Sequence, residues 1–175
     1  MPLAYADKIR ENPGVRQACA SRWAGFQVPG KDNLFFQSFG IEEQPFIAMH
    51  HELEAADDQK AAYLADDHGA WVSQELARQL GWQVGDHVVL ESRQYPGKWE
   101  LNTSGIYTPK RDGFAQRSIW IHCAYFNRSL PPDEQNKVGM ILLVSVAVGA
   151  LVGCLGGLLP AIRAARISPV QAMRA

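Results

Sequence analysis

A chain of 175 residues with 17 Lys and Arg against 18 Asp and Glu, net charge -1 at pH 7, has room for one ordinary folded domain and not for two. The charges are scattered, so there is no basic stripe of the kind that holds a phosphate backbone, and nucleic acid is excluded as an expected partner. Hydrophobic residues make up 47% of the chain, yet mean hydropathy is only -0.18, which implies that the apolar excess is local.

In chain order, Leu3, Ala6 and Ile9 recur at helical spacing and Pro13-Gly14 stops them, which predicts a short opening helix over 3–10. The start, Met1-Pro2-Leu3-Ala4-Tyr5-Ala6-Asp7-Lys8, has no apolar stretch after a basic beginning and is not expected to act as a signal peptide. Residues 15–26 and 34–41 are rich in strand formers and are separated by the turn-rich Pro29-Gly30-Lys31-Asp32-Asn33, so two strands are expected. Residues 42–64 are mixed and expected to be helical in part, with Asp57-Asp58 expected to cap a helix over 59–66.

From Trp71 onward, Val72, Leu76 and Leu80 repeat every four residues, with Gly81 as terminator. This predicts a docked amphipathic helix. Val84-Gly85-Asp86 turns the chain into an expected strand over 87–92, and Pro96-Gly97 into another over 99–107 with Trp99, Leu101 and Thr103 on one face. Ser118 to Cys123 alternates again, Ile119, Ile121 and Cys123 facing together. Helices among five or six strands predict an α+β domain over 1–129, followed by a polar, proline-bearing linker over 130–137.

Val138 to Leu159 is an uncharged run of 22 residues. As a helix it would reach ~33 Å, close to the ~30 Å hydrocarbon core of a bilayer, so a single C-terminal transmembrane helix is expected over 138–159. Membrane lipid is thereby an expected partner. Ser145, Gly149, Gly153 and Gly157 stand four apart and would line one ridge of that helix, where a second helix could approach closely. The tail over 160–175 carries Arg163, Arg166 and Arg174 without an acidic residue, which favours the cytoplasmic side. Ser168-Pro169 would open a last short helix.

Catalytic signatures are sparse. Cys19, Cys123 and Cys154 match no metal or redox spacing; Cys19 and Cys123 read either as isolated thiols in buried strands or as a pair in an oxidising compartment. His50-His51-Glu52, with Asp57, Asp58, Asp66, Asp67 and His68 nearby, is the cluster closest to a metal site. Adjacent histidines do not share a ligand face, however, and a solvated acidic surface is expected instead. No Gly-x-Ser-x-Gly elbow and no Gly-x-x-x-x-Gly-Lys-Ser/Thr loop occurs. No catalytic residue, metal ligand or cofactor is expected.

The closing stretch, Leu159-Pro160-Ala161-Ile162-Arg163-Ala164-Ala165-Arg166-Ile167-Ser168-Pro169-Val170-Gln171-Ala172-Met173-Arg174, resembles the end of MacB/FtsX-type ABC transporter permeases, with Met173 where Leu is usual. Ile9-Arg10-Glu11-Asn12-Pro13-Gly14-Val15 and Leu76-Ala77-Arg78-Gln79-Leu80-Gly81-Trp82-Gln83-Val84-Gly85-Asp86 are similar to that family's extracytoplasmic core domain.

The resemblance implies a non-catalytic permease subunit of the bacterial inner membrane, with its domain on the periplasmic side. Its implied partners are a separate ABC ATPase and a second permease copy or homologue. The family normally has one transmembrane helix before the outer domain and three after it. A chain in which the domain starts at Met1 and only the last span remains is expected to be a truncated or internally deleted permease. Two other readings stand beside this one: a single-span membrane-anchored interaction protein, and a metal-dependent hydrolase using His50, His51 and Asp67.

Overall fold

Residues 1–111 and 113–145 are described by the structure, a computed structural model. Two short strands are buried on both faces and organise everything else: β5 (Gly69–Ser73) and β8 (Ser118–His122) have every residue buried. Alternation along them sends Ala70, Val72, Ile119 and Ile121 to one side and Trp71 and Trp120 to the other, as a pleated strand must. Each face therefore needs its own cover, and the helices divide accordingly.

The remaining strands are β1 (Val15–Trp23), β2 (Phe26–Gln27), β3 (Gln37–Ile41), β4 (Leu53–Glu54), β6 (His87–Ser92), β7 (Lys98–Pro109) and β9 (Met140–Ser145). Among the described residues the sheet runs β2-β6-β7-β5-β8-β3-β1-β9, with β4 pairing the end of β7. It is mixed: β5 with β7 and β3 with β8 are parallel, and the other pairs are antiparallel.

One face carries α4 (Gln74–Leu80) and α5 (Cys123–Arg128), whose Leu76, Ala77, Tyr125 and Phe126 pack with Phe26, Leu90, Trp99 and Leu101. The other carries α2 (Glu43–Met49) and α3 (Asp57–Ala65), whose Phe46 and Tyr63 close over Cys19, Ile41, Trp71, Tyr107 and Trp120. A smaller cluster seats α1 (Ala4–Arg10) on the edge of the sheet, Ala6 meeting Ala20 of β1 and Val138. The mixed α/β layering bears out the expected α+β domain.

Several expectations are corrected. The helix expected from Trp71 is a strand followed by a helix: Trp71 and Val72 belong to β5, and α4 starts only after Ser73, whose Oγ accepts the Leu76 N–H at 3.4 Å. Gly81 does end it, with φ of 75°, a left-handed cap that favours glycine. Asp57 and Asp58 lie in the first turn of α3 and do not cap it; the N-cap position is Ala56. Cys123 opens α5 and does not extend β8.

In β7 the expected alternation of Trp99, Leu101 and Thr103 holds, then inverts. Ala70 pairs with Thr103 and Trp71 with Gly105, so Ser104 is an extra residue. A bulge of this kind switches the faces of the strand beyond it, which turns Tyr107 toward Trp71 while Trp99 packs on the opposite face.

The largest correction concerns the expected linker and the start of the expected membrane helix. Residues 130–137 are docked. Leu130 is in the core, the buried Arg22 bonds Glu134 and the Lys137 carbonyl, and Pro2 bridges Lys137. Val138 is 4% exposed, and Met140–Ser145 is an antiparallel edge strand on β1, from Ser21 opposite Met140 to Val15 opposite Ser145. The run Met140-Ile141-Leu142-Leu143-Val144 has the apolarity of a membrane helix, but here Ile141 and Leu142 pack on the domain and the backbone completes the β1 ladder. The rest of the expected span, 146–159, and the tail lie outside the described residues.

Candidate functional site

The sheet has two ends. At the foot lie the start of β1, the ends of β3, β8 and β9 and the first turns of α2 and α5; at the crown lie the end of β1, the start of β9 and the end of β7. Each end holds a cleft.

The foot cleft, ≈ 720 Å³, is walled by Arg10, Glu42, Glu43, Cys123, Asn127 and Arg128. Its charges are already committed. Glu42 accepts from the Ala20 N–H at 2.6 Å and from Arg10, which also pairs with Asp7 at 2.8 Å; Arg128 pairs with Asp67; Glu43 lies 3.6 Å from His122. These bonds tie α1, α2 and α5 to the sheet.

Burial pushes the Cys123 thiol up to about 11 and Cys19 up to about 12, with the Glu42 carboxylate adding to both. Neither is a thiolate near neutrality, so neither is a ready nucleophile. Both are free and buried. Strand β3 lies between β1 and β8, with Ser21, Ile41 and His122 forming one row across the three. Cys19 lies in β1, and Cys123 lies just past the end of β8, in the first turn of α5. In the structure the two stand as separate thiols, the first of the two sequence readings.

At the crown a cleft of ≈ 490 Å³ is lined by His51, Glu52, Leu53, Lys110, Arg111 and Gly113. Burial raises the Glu52 carboxyl, but the hydrogen bond with His50, 2.7 Å away, a bond from its own backbone and the charges of His50 and Arg111 together outweigh it and hold Glu52 below its ordinary value. His50 is therefore engaged with Glu52, His51 lines the crown cleft, and Asp67 pairs with Arg128 at the foot. The three residues of the hydrolase reading are not brought together. Among the described residues no group of three or more His, Cys, Asp and Glu is placed to hold a metal ion.

Of the residues expected to line the helical ridge or the cytoplasmic flank, only Ser145 is described. It ends β9 opposite Val15, in extended backbone, so it does not begin the expected helical ridge. Gly149, Gly153, Gly157, Arg163, Arg166 and Arg174 lie outside the described residues. No helix of the described residues is long and apolar enough to cross a membrane. What the sequence reading missed is β9 itself, with Leu143 50% and Val144 40% exposed at the foot. Its pairing with β1 joins residues more than a hundred positions apart and leaves no local signal.

No family model and no curated protein matches the sequence, but solved structures match its fold. The extracellular domain of the noncanonic ABC-type transporter YknZ from Gram-positive bacteria superposes with a TM-score of 0.59 at 12% identity, over 83% of this chain and 73% of that one. A domain of a permease protein from Porphyromonas gingivalis gives 0.54 at 19% identity, over 82% and 67%. The periplasmic region of MacB from Actinobacillus actinomycetemcomitans gives 0.57 at 10% identity, over 90% and 75%.

The described domain thus has the fold of the extracytoplasmic domains of ABC-type transporter permeases. In particular, it is a MacB-like extracytoplasmic core fold, the one the sequence resemblance implied.

Proposed function

We propose that the chain is a membrane-embedded, non-catalytic permease subunit of a MacB/FtsX-type ABC transporter. Its domain sits on the periplasmic side of the bacterial inner membrane, and the uncharged run beyond Ser145 anchors it. One observation carries this reading: a domain with the fold of transporter extracytoplasmic domains runs directly into an uncharged run and an arginine-bearing tail. Fold likeness alone does not assign function; the tail supplies the second, independent line.

In this reading a separate ATPase supplies the energy, a second permease copy or homologue completes the transporter, and the domain re-poses as the membrane helices move. Gly149, Gly153 and Gly157 supply the close helix contact, and Arg163, Arg166 and Arg174 remain in the cytoplasm. The test is co-purification from native membranes in a detergent that preserves transporter complexes. An ATPase subunit recovered with the chain supports the reading, and its repeated absence contradicts it.

A further inference from the structure

The exit of the chain from the domain is tight. Strand β9 uses six residues of the run that was sized to span the bilayer, and Val138 and Gly139 before it are docked as well. From Val146 to the last uncharged residue before Arg163 only 17 residues remain, ~26 Å as a helix and at the short limit of about 17 residues for a span. One of two things must give: β9 unzips to lengthen the helix, or the domain comes down onto the bilayer.

Unzipping would break six register pairs with β1 and uncover Ile141 and Leu142. A few Å of hydrophobic mismatch, taken up by local thinning and snorkelling arginines, is the lesser cost. No spacer residues then separate Ser145 from the hydrocarbon.

We infer that the foot of β9 is seated in the bilayer surface, with Leu143 and Val144 in the boundary between headgroups and acyl chains. This rests on the membrane reading above. The chemistry agrees: Leu143 and Val144 are half-exposed apolar side chains on opposite faces of an edge strand, next to the uncharged run. Beside them, the exposed Arg16 is the extra residue of the bulge between Val15 and Gln17. It forms no ion pair with any described carboxylate, and its guanidinium suits a lipid phosphate. Met140, also exposed, is three residues further up the strand and stands ~10 Å above Leu143 in water.

The test uses the full chain in liposomes of mixed zwitterionic and anionic phospholipid, with Cys154→Ser and a nitroxide placed at Leu143→Cys, Met140→Cys or Phe35→Cys. Phe35 is 61% exposed on the crown side. Buried Cys19 and Cys123 are shielded from the label. Collision with an aqueous nickel chelate should be several-fold lower at 143 than at 35, with 140 close to 35.

Equal access at 143 and 35 in chains that resist carbonate washing would overturn the seating and leave the membrane reading standing. A label at 140 as protected as that at 143 would mean that β9 has left the sheet, which also overturns it. Chains stripped from the liposomes by carbonate would remove the membrane reading and the seating together.

Discussion

Arg22 of β1, 7% exposed, is the clasp that holds Glu134 and with it the whole return segment to β9. Its guanidinium bonds the Glu134 carboxylate, the Glu134 and Lys137 carbonyls and the Tyr95 hydroxyl at 3.0 Å, and it lies 5.0 Å from the Tyr95 ring centre. Arg22→Met should lower unfolding free energy by about 2 kcal/mol, less than the ~3–5 kcal/mol for a fully buried pair because water reaches Glu134. Denaturant unfolding of the two proteins checks this, and an unchanged midpoint would contradict it.

Acid should release the same clasp. Hydrogen bonds from Lys137 and Arg22 hold the Glu134 carboxyl below its ordinary 4.5. A depressed carboxyl contributes stability in full above its unfolded value and loses it as the pH falls through the folded one. Between about pH 5 and 3 the melting temperature of the natural chain should therefore fall more steeply than that of Glu134→Gln. Parallel curves would show that the pair contributes nothing.

Two glycines are fixed by close approach. A Cβ on Gly40 would lie 3.0 Å from the Phe126 ring, and one on Gly69 2.7 Å from the Asp66 carbonyl oxygen. Overpacking costs about 1–3 kcal/mol. Gly69→Ala should reach the upper end, because backbone must shift, and Gly40→Ala the lower, because a ring can tilt. Thermal melts of both variants decide the order.

The cysteines should be inert. In neutral buffer neither Cys19 nor Cys123 should react with iodoacetamide while folded, both should react in denaturant, and reductant should not change the melting temperature. Mass spectrometry that found a Cys19–Cys123 disulfide in the folded chain would contradict this.

Elements whose cause is local could be read from the sequence. The opening helix, β6 over its full length and the Gly81 cap follow from spacing and turn chemistry within a few residues. The misreading at Trp71 arose because Val72, Leu76 and Leu80 keep helical spacing across a strand-to-helix junction; Ser73, an N-cap type just before polar Gln74 and Glu75, was the available signal. Helix α2 falls in the stretch expected to be helical in part, but its bounds could not be read because seven residues with only Phe46 fully buried show too little periodicity.

Distant partners were harder to see. Nothing near Met140 reveals that β1 offers it an edge, and the inversion in β7 depends on the extra Ser104 against β5. The foot cleft likewise combines α1, α2 and α5, which no spacing places together.

The central claim is that this domain projects outside the inner membrane and is anchored by the run that follows it. Protease added to intact spheroplasts carrying a C-terminally tagged chain tests it most directly. The account predicts that residues 1–145 are digested while a tagged fragment containing Arg163, Arg166 and Arg174 survives until the membrane is opened. A domain left whole until lysis, with the tag removed first, would contradict it.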